Sequence, residues 1–217
     1  MTATRVFMGL EFDLDRDVLV PREETELLGR IALQVLGEIG ARRVVDMCCG
    51  SGNLACALAH ALPALEAWAI DLTDACVDLT NRNVRKLGLE KRVHVVRSDL
   101  FAGLRGLGLE GALDAVVCNP PYISTGKLEK EHAGLLRDEP RQAFDGGPFG
   151  ISVQQRVIRE AIEYLRPGGW LLFEVGLGQA KQTSSLLGRA LRYEPPCFAH
   201  DASGNPRVVY ARRSLEQ

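Results

Sequence analysis

The residues best suited to chemistry form a short run after an apolar segment. Residues 113–118 are typical of a buried strand, and the run at its carboxyl end is Asn119, Pro120, Pro121 and Tyr122. Two consecutive prolines fix φ and supply no N–H, and they push the residues before them toward extended conformations. The carbonyl of Pro120 is therefore predicted to point outward, where a ligand can reach it.

This run has the groups needed to hold a flat –NH₂. Such a nitrogen is a poor nucleophile because its lone pair is delocalised. The side-chain oxygen of Asn119 and the carbonyl of Pro120 can each accept one N–H, and Tyr122 can stack on the planar group. These contacts would aim the lone pair at a sulfonium methyl through positioning and electrostatics. We predict N-methyl transfer with Asn119, Pro120 and Tyr122 as catalytic residues; the alternative is a plain proline-rich turn.

An earlier strand–turn–helix segment could bind the nucleoside of a methyl donor. Gly50 and Gly52 let the backbone approach a ligand closely, and the start of the following helix offers free N–H groups. The same loop satisfies the G-x-G-x-x-A dinucleotide pattern, so on this loop alone a dehydrogenase is an alternative. Asp46 ends the preceding strand, where it could shape the pocket or only order the turn.

Two acids at the ends of later strands could contact the same nucleoside. Asp71 follows the glycines by about 20 residues, where an acid can accept both ribose hydroxyls; its alternative role is to cap the next helix. Asp99 could accept from the amine of adenine, with Leu100 and Phe101 covering the ring. The alternative for Asp99 is a loop carboxylate with no special role.

Composition narrows the class of protein. The 217 residues suit one α/β domain, and a formal net charge of −2 argues against a nucleic-acid partner. The six cysteines form no C-x-x-C pair and have no zinc-like spacing with the four histidines, so we expect no metal and a reducing compartment. No signal-peptide pattern and no apolar run of about 20 residues is present, so we expect a cytoplasmic enzyme without a membrane partner.

Apolar patterns place these motifs on alternating strands and helices. Residues 5–20 predict a β-hairpin, and a helix is expected from Pro21 to near Gly40. The later strands are predicted at 42–47, 65–70, 92–96, 113–118, 170–175 and 207–213, with helices between them at 53–62, 74–87, 152–166 and 178–192.

This alternation predicts an α/β fold with a doubly wound, mainly parallel sheet. Ligands of such sheets bind outside the carboxyl ends of the strands, which is where the motifs fall. We expect residues 1–40 to form a hairpin and helix that pack on a catalytic domain of residues 41–217, with the last segments pairing antiparallel at one edge of the sheet.

Taken together, the motifs resemble those of the HemK-type peptide chain release factor glutamine methyltransferases. The similarity extends from Phe7 to about Tyr210 and is carried by FMGLEFDLDRDVLVPREETELL, VVDMCCGSG, AIDLT, SDLF, NPPYI, EPRQAFDGGPFGI and LRPGGWLLFEVG. The resemblance implies a class I methyltransferase fold with a seven-stranded sheet. It also implies S-adenosylmethionine as cofactor, S-adenosylhomocysteine as product and a protein glutamine as acceptor.

The residues and the resemblance together give two predicted sets. The cofactor set is Thr25, Asp46, Cys48, Cys49, Gly50, Ser51, Gly52, Asn53, Asp71, Leu72, Asp99, Leu100 and Asn119. The substrate set is Asn119, Pro120, Pro121, Tyr122, Arg22 and Glu139. Arg22 and Thr25 could instead only order the first helical turn. Glu139, in the segment from Asp138 to Gly147, could instead form a salt bridge with Arg141 or another arginine.

Three departures from the family pattern bear on the prediction. Cys48 stands where the family has a glycine, which is tolerable if φ at this residue stays negative. Glu23 replaces a proline, which a helix start tolerates. Bacterial members carry an N-terminal helical domain that helps to grip the release factor, whereas this chain begins almost at the hairpin. Three explanations are open: the sequence is a shortened form, a partner supplies this grip, or the acceptor is a peptide or small-molecule amide.

Other functions are open at this stage. A natural-product nitrogen would keep the chemistry and change only the acceptor. Adenine methylation shares the Asn-Pro-Pro-Tyr run, but the chain lacks a target-recognition domain and the net positive charge that phosphate binding favours. A non-enzymatic module that only binds the cofactor is the remaining alternative.

Overall fold

The predicted alternation of strands and helices is present in a computed structural model of the protein, which describes residues 3–130, 134, 136 and 139–215. Two short strands form an antiparallel hairpin, and seven more form one sheet. In chain order the strands are β1 (Thr4–Phe7), β2 (Leu10–Asp13), β3 (Arg43–Met47), β4 (Glu66–Asp71), β5 (Val93–Arg97), β6 (Leu113–Cys118), β7 (Leu165–Glu174), β8 (Cys197–His200) and β9 (Pro206–Arg212).

The seven-stranded sheet is mainly parallel. Its strand order is β5-β4-β3-β6-β7-β9-β8. The neighbours from β5 to β7 pair in parallel, whereas β9 is antiparallel to both β7 and β8. The order reverses between β3 and β6, which is the switch point where such sheets bind ligands. The predicted α/β fold class is confirmed, including the antiparallel edge and the N-terminal hairpin.

Helices cover both faces of this sheet. They are α1 (Glu23–Glu38), α2 (Asn53–Ala61), α3 (Asp74–Lys86), α4 (Thr125–Lys130), α5 (Ser152–Tyr164) and α6 (Ala180–Ala190), and a 3-10 helix covers Leu100–Leu104. The cores on the two faces are built by α1, α2 and α3 on one side and by α5, α6 and the 3-10 helix on the other. Within the described ranges, no helix is long and apolar enough to cross a membrane.

Strand β6 shows how the sequence buries the centre of the sheet. All of its residues are buried. Ala115 and Val117 belong to the core under α1, and Val116 and Cys118 belong to the opposite core. Side chains alternate between the faces of a strand, and a parallel strand between two helical layers is mostly apolar; the exception in β6 is Asp114 near its start, which accepts from Arg166 and from the N–H groups of Arg42 and Arg43. Polar groups for chemistry therefore follow β6, beginning with Asn119.

The sequence patterns do not predict two short elements and misplace one boundary. Helix α4 and strand β8 have six and four residues, and most of β8 is exposed, so neither carries a periodic apolar pattern. The predicted helix over 152–166 ends at Tyr164, and β7 begins at Leu165 instead of residue 170. Pro167 and the two glycines after it hide the start of this strand, whose pairing with β6 is irregular there.

The hairpin is joined to the rest of the molecule by packing and by hydrogen bonds to α3. Phe7 and Phe12 are buried and meet edge to face, with ring centroids 6.3 Å apart. Asn83 on α3 accepts the backbone N–H of Asp13 at 2.8 Å and donates to the carbonyls of Asp13 and Ser51. One buried amide therefore joins the hairpin to the loop after β3.

Replacing Asn83 by Ala should lower the free energy of unfolding by about 2–3 kcal/mol, because it leaves buried backbone groups without partners. Urea denaturation followed by circular dichroism measures this change. Arg85→Ala, on the exposed side of the same helix, is the matched control and should change stability by less than about 0.5 kcal/mol. Equal losses of stability in the two variants would contradict the proposed role of Asn83 in joining the hairpin to the loop after β3.

Candidate active site

A cavity opens where the carboxyl ends of β3, β4 and β6 meet. Its volume is about 400 Å³, which is within the range of small-molecule sites. Its walls include the loops after these strands, the segment before α1 and residues from 140 to 143. Asp46 and Gly52 are not among the lining residues, whereas these predicted cofactor residues are: Thr25, Cys48, Cys49, Gly50, Ser51, Asn53, Asp71, Leu72, Asp99, Leu100 and Asn119.

The loop of residues 48–52, which we call the glycine loop, borders this cavity. Gly50 and Gly52 have φ values of +56° and +76°, a left-handed region that glycine enters at little cost. A Cβ on Gly52 would lie 2.5 Å from Cγ2 of Thr80 on α3. This second glycine therefore serves the packing of α2 against α3, and Gly50 is the one that lines the cavity.

The condition under which Cys48 would be tolerated, a negative φ, is not met. Its φ is +62°, and this left-handed conformation costs a residue with a Cβ about 1–2 kcal/mol. The glycine that the family has at this position thus has a conformational reason. The cysteine retains the bend of the glycine loop at the expense of stability, and it lines the cavity.

Asp71 at the end of β4 holds the glycine loop in place. One of its carboxylate oxygens accepts the N–H of Gly50 at 3.0 Å, and the other accepts the N–H of Leu72 at 2.8 Å. The next helix is capped by Thr73, whose hydroxyl accepts the N–H of Cys76. A carboxylate oxygen can accept more than one hydrogen bond, so Asp71 has acceptor capacity left to face the cavity.

Asp46 is a structural residue behind the cavity wall. Its Oδ2 accepts the N–H of Ala55 at 2.9 Å in the first turn of α2. Its Oδ1 is buried and has no hydrogen-bond partner among the described residues. Burial raises the pKa of this carboxyl to about 7. The contacts correspond to the turn-ordering role that the sequence left open for Asp46.

Asp99 forms a salt bridge that the sequence did not predict. The guanidinium of Arg156 on α5 donates to its Oδ1 at 2.9 Å, and both residues line the cavity. This pair is largely exposed, so it contributes little to stability. Sequence reasoning missed Arg156 because it is an ordinary polar position of a helix that begins more than 50 residues later in the chain.

A smaller cavity of about 40 Å³ adjoins the larger one. Four residues line both cavities, namely Leu19, Arg22, Asn119 and Ala143, and the smaller one is completed by Pro120, Tyr122, Ile123, Phe144 and Glu174. The Nδ2 of Asn119 donates to Oγ1 of Thr25 at 3.1 Å. Among the described residues, neither Oδ1 of Asn119 nor the carbonyl of Pro120 receives a hydrogen bond. Two acceptors are therefore left unpaired beside this space.

Glu174 is a site residue that the sequence analysis did not single out. It ends β7, is 2% exposed and accepts the hydroxyl proton of Thr25 at 2.7 Å. The hydroxyl of Tyr122 lies 3.4 Å from its other oxygen. Burial, followed by the charge of Glu174, raises the pKa of Tyr122 to about 12. The available signal was a carboxylate at the end of an otherwise apolar strand.

Arg22 and Glu139 bind each other across the mouth of the site. Glu139 accepts from the Arg22 guanidinium and from the N–H of Val20 at 2.9 Å. Of the two roles predicted for Glu139, the structure thus shows the salt bridge, with Arg22 as the arginine. Arg141 instead pairs with Glu129 and Asp145. Asp138, at the start of the predicted segment, lies outside the described residues.

The strand order, the glycine loop, the acids after β4 and β5 and the Asn-Pro-Pro-Tyr run after β6 define a class I S-adenosylmethionine-dependent methyltransferase. Residues 24–192 match the family model described as methyltransferase small domain. The chain is 37% identical over its whole length to the release factor glutamine methyltransferase of Moorella thermoacetica, covering 75% of that protein. For the same enzyme of Gloeobacter violaceus, identity is 34% over 96% of this chain and 72% of the relative. The chain belongs to the release factor glutamine methyltransferase family.

Solved structures of other methyltransferases share the fold. The N-terminal domain of human METTL16 in complex with SAH aligns with a TM-score of 0.66 and 18% identity over 97% of this chain and 77% of that one. The T. thermophilus 16S rRNA N2 methyltransferase RsmC, in complex with AdoMet and guanosine, aligns with a TM-score of 0.69 and 20% identity over 98% and 50%. These likenesses concern the fold. The predicted family, enzyme class and cofactor are confirmed.

Replacing Cys48 by Gly should raise the free energy of unfolding by about 0.5–1 kcal/mol, because glycine adopts this positive φ without a Cβ clash. Chemical denaturation of both proteins measures the difference. The matched control is Cys76→Gly in α3, which should lower stability by a similar amount because helical glycine is unfavourable. A loss of stability in Cys48→Gly would contradict the strain assigned to this residue.

Asp46 should make the folded protein less stable as pH rises. The unfolded chain ionises this carboxyl near pH 4, while the folded chain keeps it protonated up to about pH 7. Between these values the folded state holds the extra proton, so stability falls with increasing pH. Asp46→Asn removes this dependence and keeps the acceptor for Ala55. Its stability relative to the wild type should rise from pH 5 to pH 8 in urea titrations, and a constant difference would contradict the shift.

Proposed function

We propose that this enzyme transfers the methyl group of S-adenosylmethionine to the side-chain amide nitrogen of a glutamine in a peptide chain release factor. The observation that carries the proposal is the position of Asn119 between the two cavities, with its Oδ1 and the Pro120 carbonyl both unpaired. The glutamine acceptor follows from the family, whose curated members are named for this activity. The acceptor partner is thus a protein.

The larger cavity fits the cofactor. Its lining is mostly apolar, as an adenine ring requires, and carboxylates stand at the ends of β4 and β5. We propose that Asp71 holds the ribose hydroxyls, that Asp99 and Leu100 hold the adenine, and that the glycine loop faces the methionine end. When bound, S-adenosylmethionine supplies an electrophilic methyl group on a sulfonium.

The smaller cavity fits the acceptor. A primary amide has two N–H groups, and Asn119 Oδ1 and the Pro120 carbonyl are two acceptors without internal donors. Both oxygens are free to accept, and a primary amide supplies the two donors that can pair with them. Accepting both N–H groups also concentrates electron density on the nitrogen as it begins to attack.

The reaction requires no strong general base. The nitrogen becomes acidic as it takes on positive charge, so its proton can pass to the accepting oxygens or to water. The protein's contribution is to position the nitrogen and to stabilise the charge that develops on it. A release factor acts in translation, so this proposal places the enzyme in the cytoplasm.

Asn119→Ala should reduce turnover by about 10²-fold or more, because it removes one of the two groups that hold the nitrogen. Affinity for S-adenosylhomocysteine should change only a few-fold, since the glycine loop and Asp71 are untouched. Turnover is measured with isotopically labelled cofactor and purified release factor, with mass spectrometry to locate the methyl group. Affinity is measured by calorimetry.

The matched control is Asn205→Ala, the same substitution at an exposed turn between β8 and β9, which should leave turnover unchanged. A methyl group located on a glutamine side chain supports the proposal. Full activity of Asn119→Ala would contradict the role proposed for this residue. Methylation of any other residue type would contradict glutamine as the acceptor.

A further inference from the structure

The carboxylate of Glu174, which lines the smaller cavity, binds the hydroxyls of Thr25 and Tyr122. Thr25 on α1 lies 2.7 Å from one oxygen, and Tyr122 after β6 lies 3.4 Å from the other. The guanidinium of Arg207 on β9 lies 3.9 Å from the second oxygen. Glu174 and Arg207 are both largely shielded from solvent, which makes their hydrogen-bond geometry costly to disturb.

A hydrogen-bond direction follows from the chemistry of the carboxylate. An ionised carboxylate only accepts, so the hydroxyl of Thr25 must donate its single proton to Glu174. The oxygen of Thr25 is then available only as an acceptor toward Asn119, 3.1 Å away. This requires the –NH₂ of Asn119 on the Thr25 side and leaves its Oδ1 for the cavity.

We propose that Glu174 is a positioning residue, which acts through Thr25 to fix the side-chain amide of Asn119 with its oxygen toward the acceptor nitrogen. The inference rests on the function proposed above and deepens it. It also assigns Thr25 a role in orienting Asn119, beyond the cofactor contact predicted from the sequence. The charge of Glu174 matters because only a group without a proton sets the direction of both hydrogen bonds.

The alternative orientation of Asn119 would be unproductive. An amide at position 174 can donate to Thr25, whose hydroxyl then donates to Asn119. The Asn119 side chain would turn its oxygen toward Thr25 and its –NH₂ toward the cavity. The –NH₂ of Asn119 would then face the –NH₂ of the acceptor amide. The acceptor nitrogen would lose its hydrogen bond to Oδ1 of Asn119 and keep only the one to the Pro120 carbonyl.

The test is Glu174→Gln, which conserves shape and removes the charge. We expect kcat with release factor to fall about 10²-fold, while the affinity for S-adenosylhomocysteine stays within about three-fold. Thr25→Val should lower kcat to a similar extent, and Thr25→Ser should recover most of that loss because it restores the hydroxyl. Glu23→Gln removes an exposed charge from the same first turn of α1 and should leave kcat unchanged.

The pH profile gives a readout that a merely structural role would not move. Burial raises the pKa of Glu174, and the groups that act on it are Thr25 and Glu24 on α1, Arg207 on β9 and Tyr122. Protonated Glu174 can donate, so kcat of the wild type should decline as pH falls through this raised pKa. The residual activity of Glu174→Gln should lack that decline.

A direct readout separates this inference from the proposed function. In nuclear magnetic resonance spectra, the side-chain –NH₂ of Asn119 should show a cross-peak to the Thr25 side chain in the wild type and lose it in Glu174→Gln. If the wild type does not methylate release factor but shows this difference, the function fails and the orientation stands. Full activity of Glu174→Gln, or failure of Thr25→Ser to recover what Thr25→Val loses, would overturn the inference.

Discussion

The site depends on one constraint: the central parallel strands are buried on both faces. Every residue of β6 is buried, and β3 is buried from Val44 onward. Such strands carry mostly apolar side chains to both helical layers, so most of the polar groups available to a ligand lie where the chain leaves the sheet. The parallel arrangement brings those points to one edge. Asn119 and the glycine loop are neighbours because β3 and β6 pair side by side.

The polar groups at this edge also have to support one another. Asp46 holds the start of α2, Asp71 holds Gly50, and Asn83 holds Ser51. Each of these side chains satisfies a backbone group that would otherwise be unpaired in a buried turn. The glycine loop is therefore fixed before any ligand arrives, and fixed dipoles are what electrostatic catalysis requires.

Much of this arrangement follows from local sequence. The parts that could not be predicted share one cause, which is that tertiary packing determines them. Strand and helix positions come from apolar periodicity, and the motif residues fall at strand ends, so the larger cavity could be anticipated. The φ of Cys48 could not, because a sequence motif does not record the sign of a backbone angle. The pairing of Glu174 with Thr25 and of Glu139 with Arg22 could not be predicted either, since these partners are 149 and 117 residues apart in the chain. Pairings of this kind are fixed by tertiary packing alone.

The segment before the sheet takes part in the site itself. Leu19, Arg22 and Thr25 line the cavities, although the sequence predicts residues 1–40 as a unit that packs on the catalytic domain. Thr25 connects Glu174 at the end of β7 with Asn119 after β6, and these two strands pair in the sheet. The proposed acceptor site therefore includes a side chain from α1, and its geometry depends on the buried contacts that hold α1 against the sheet.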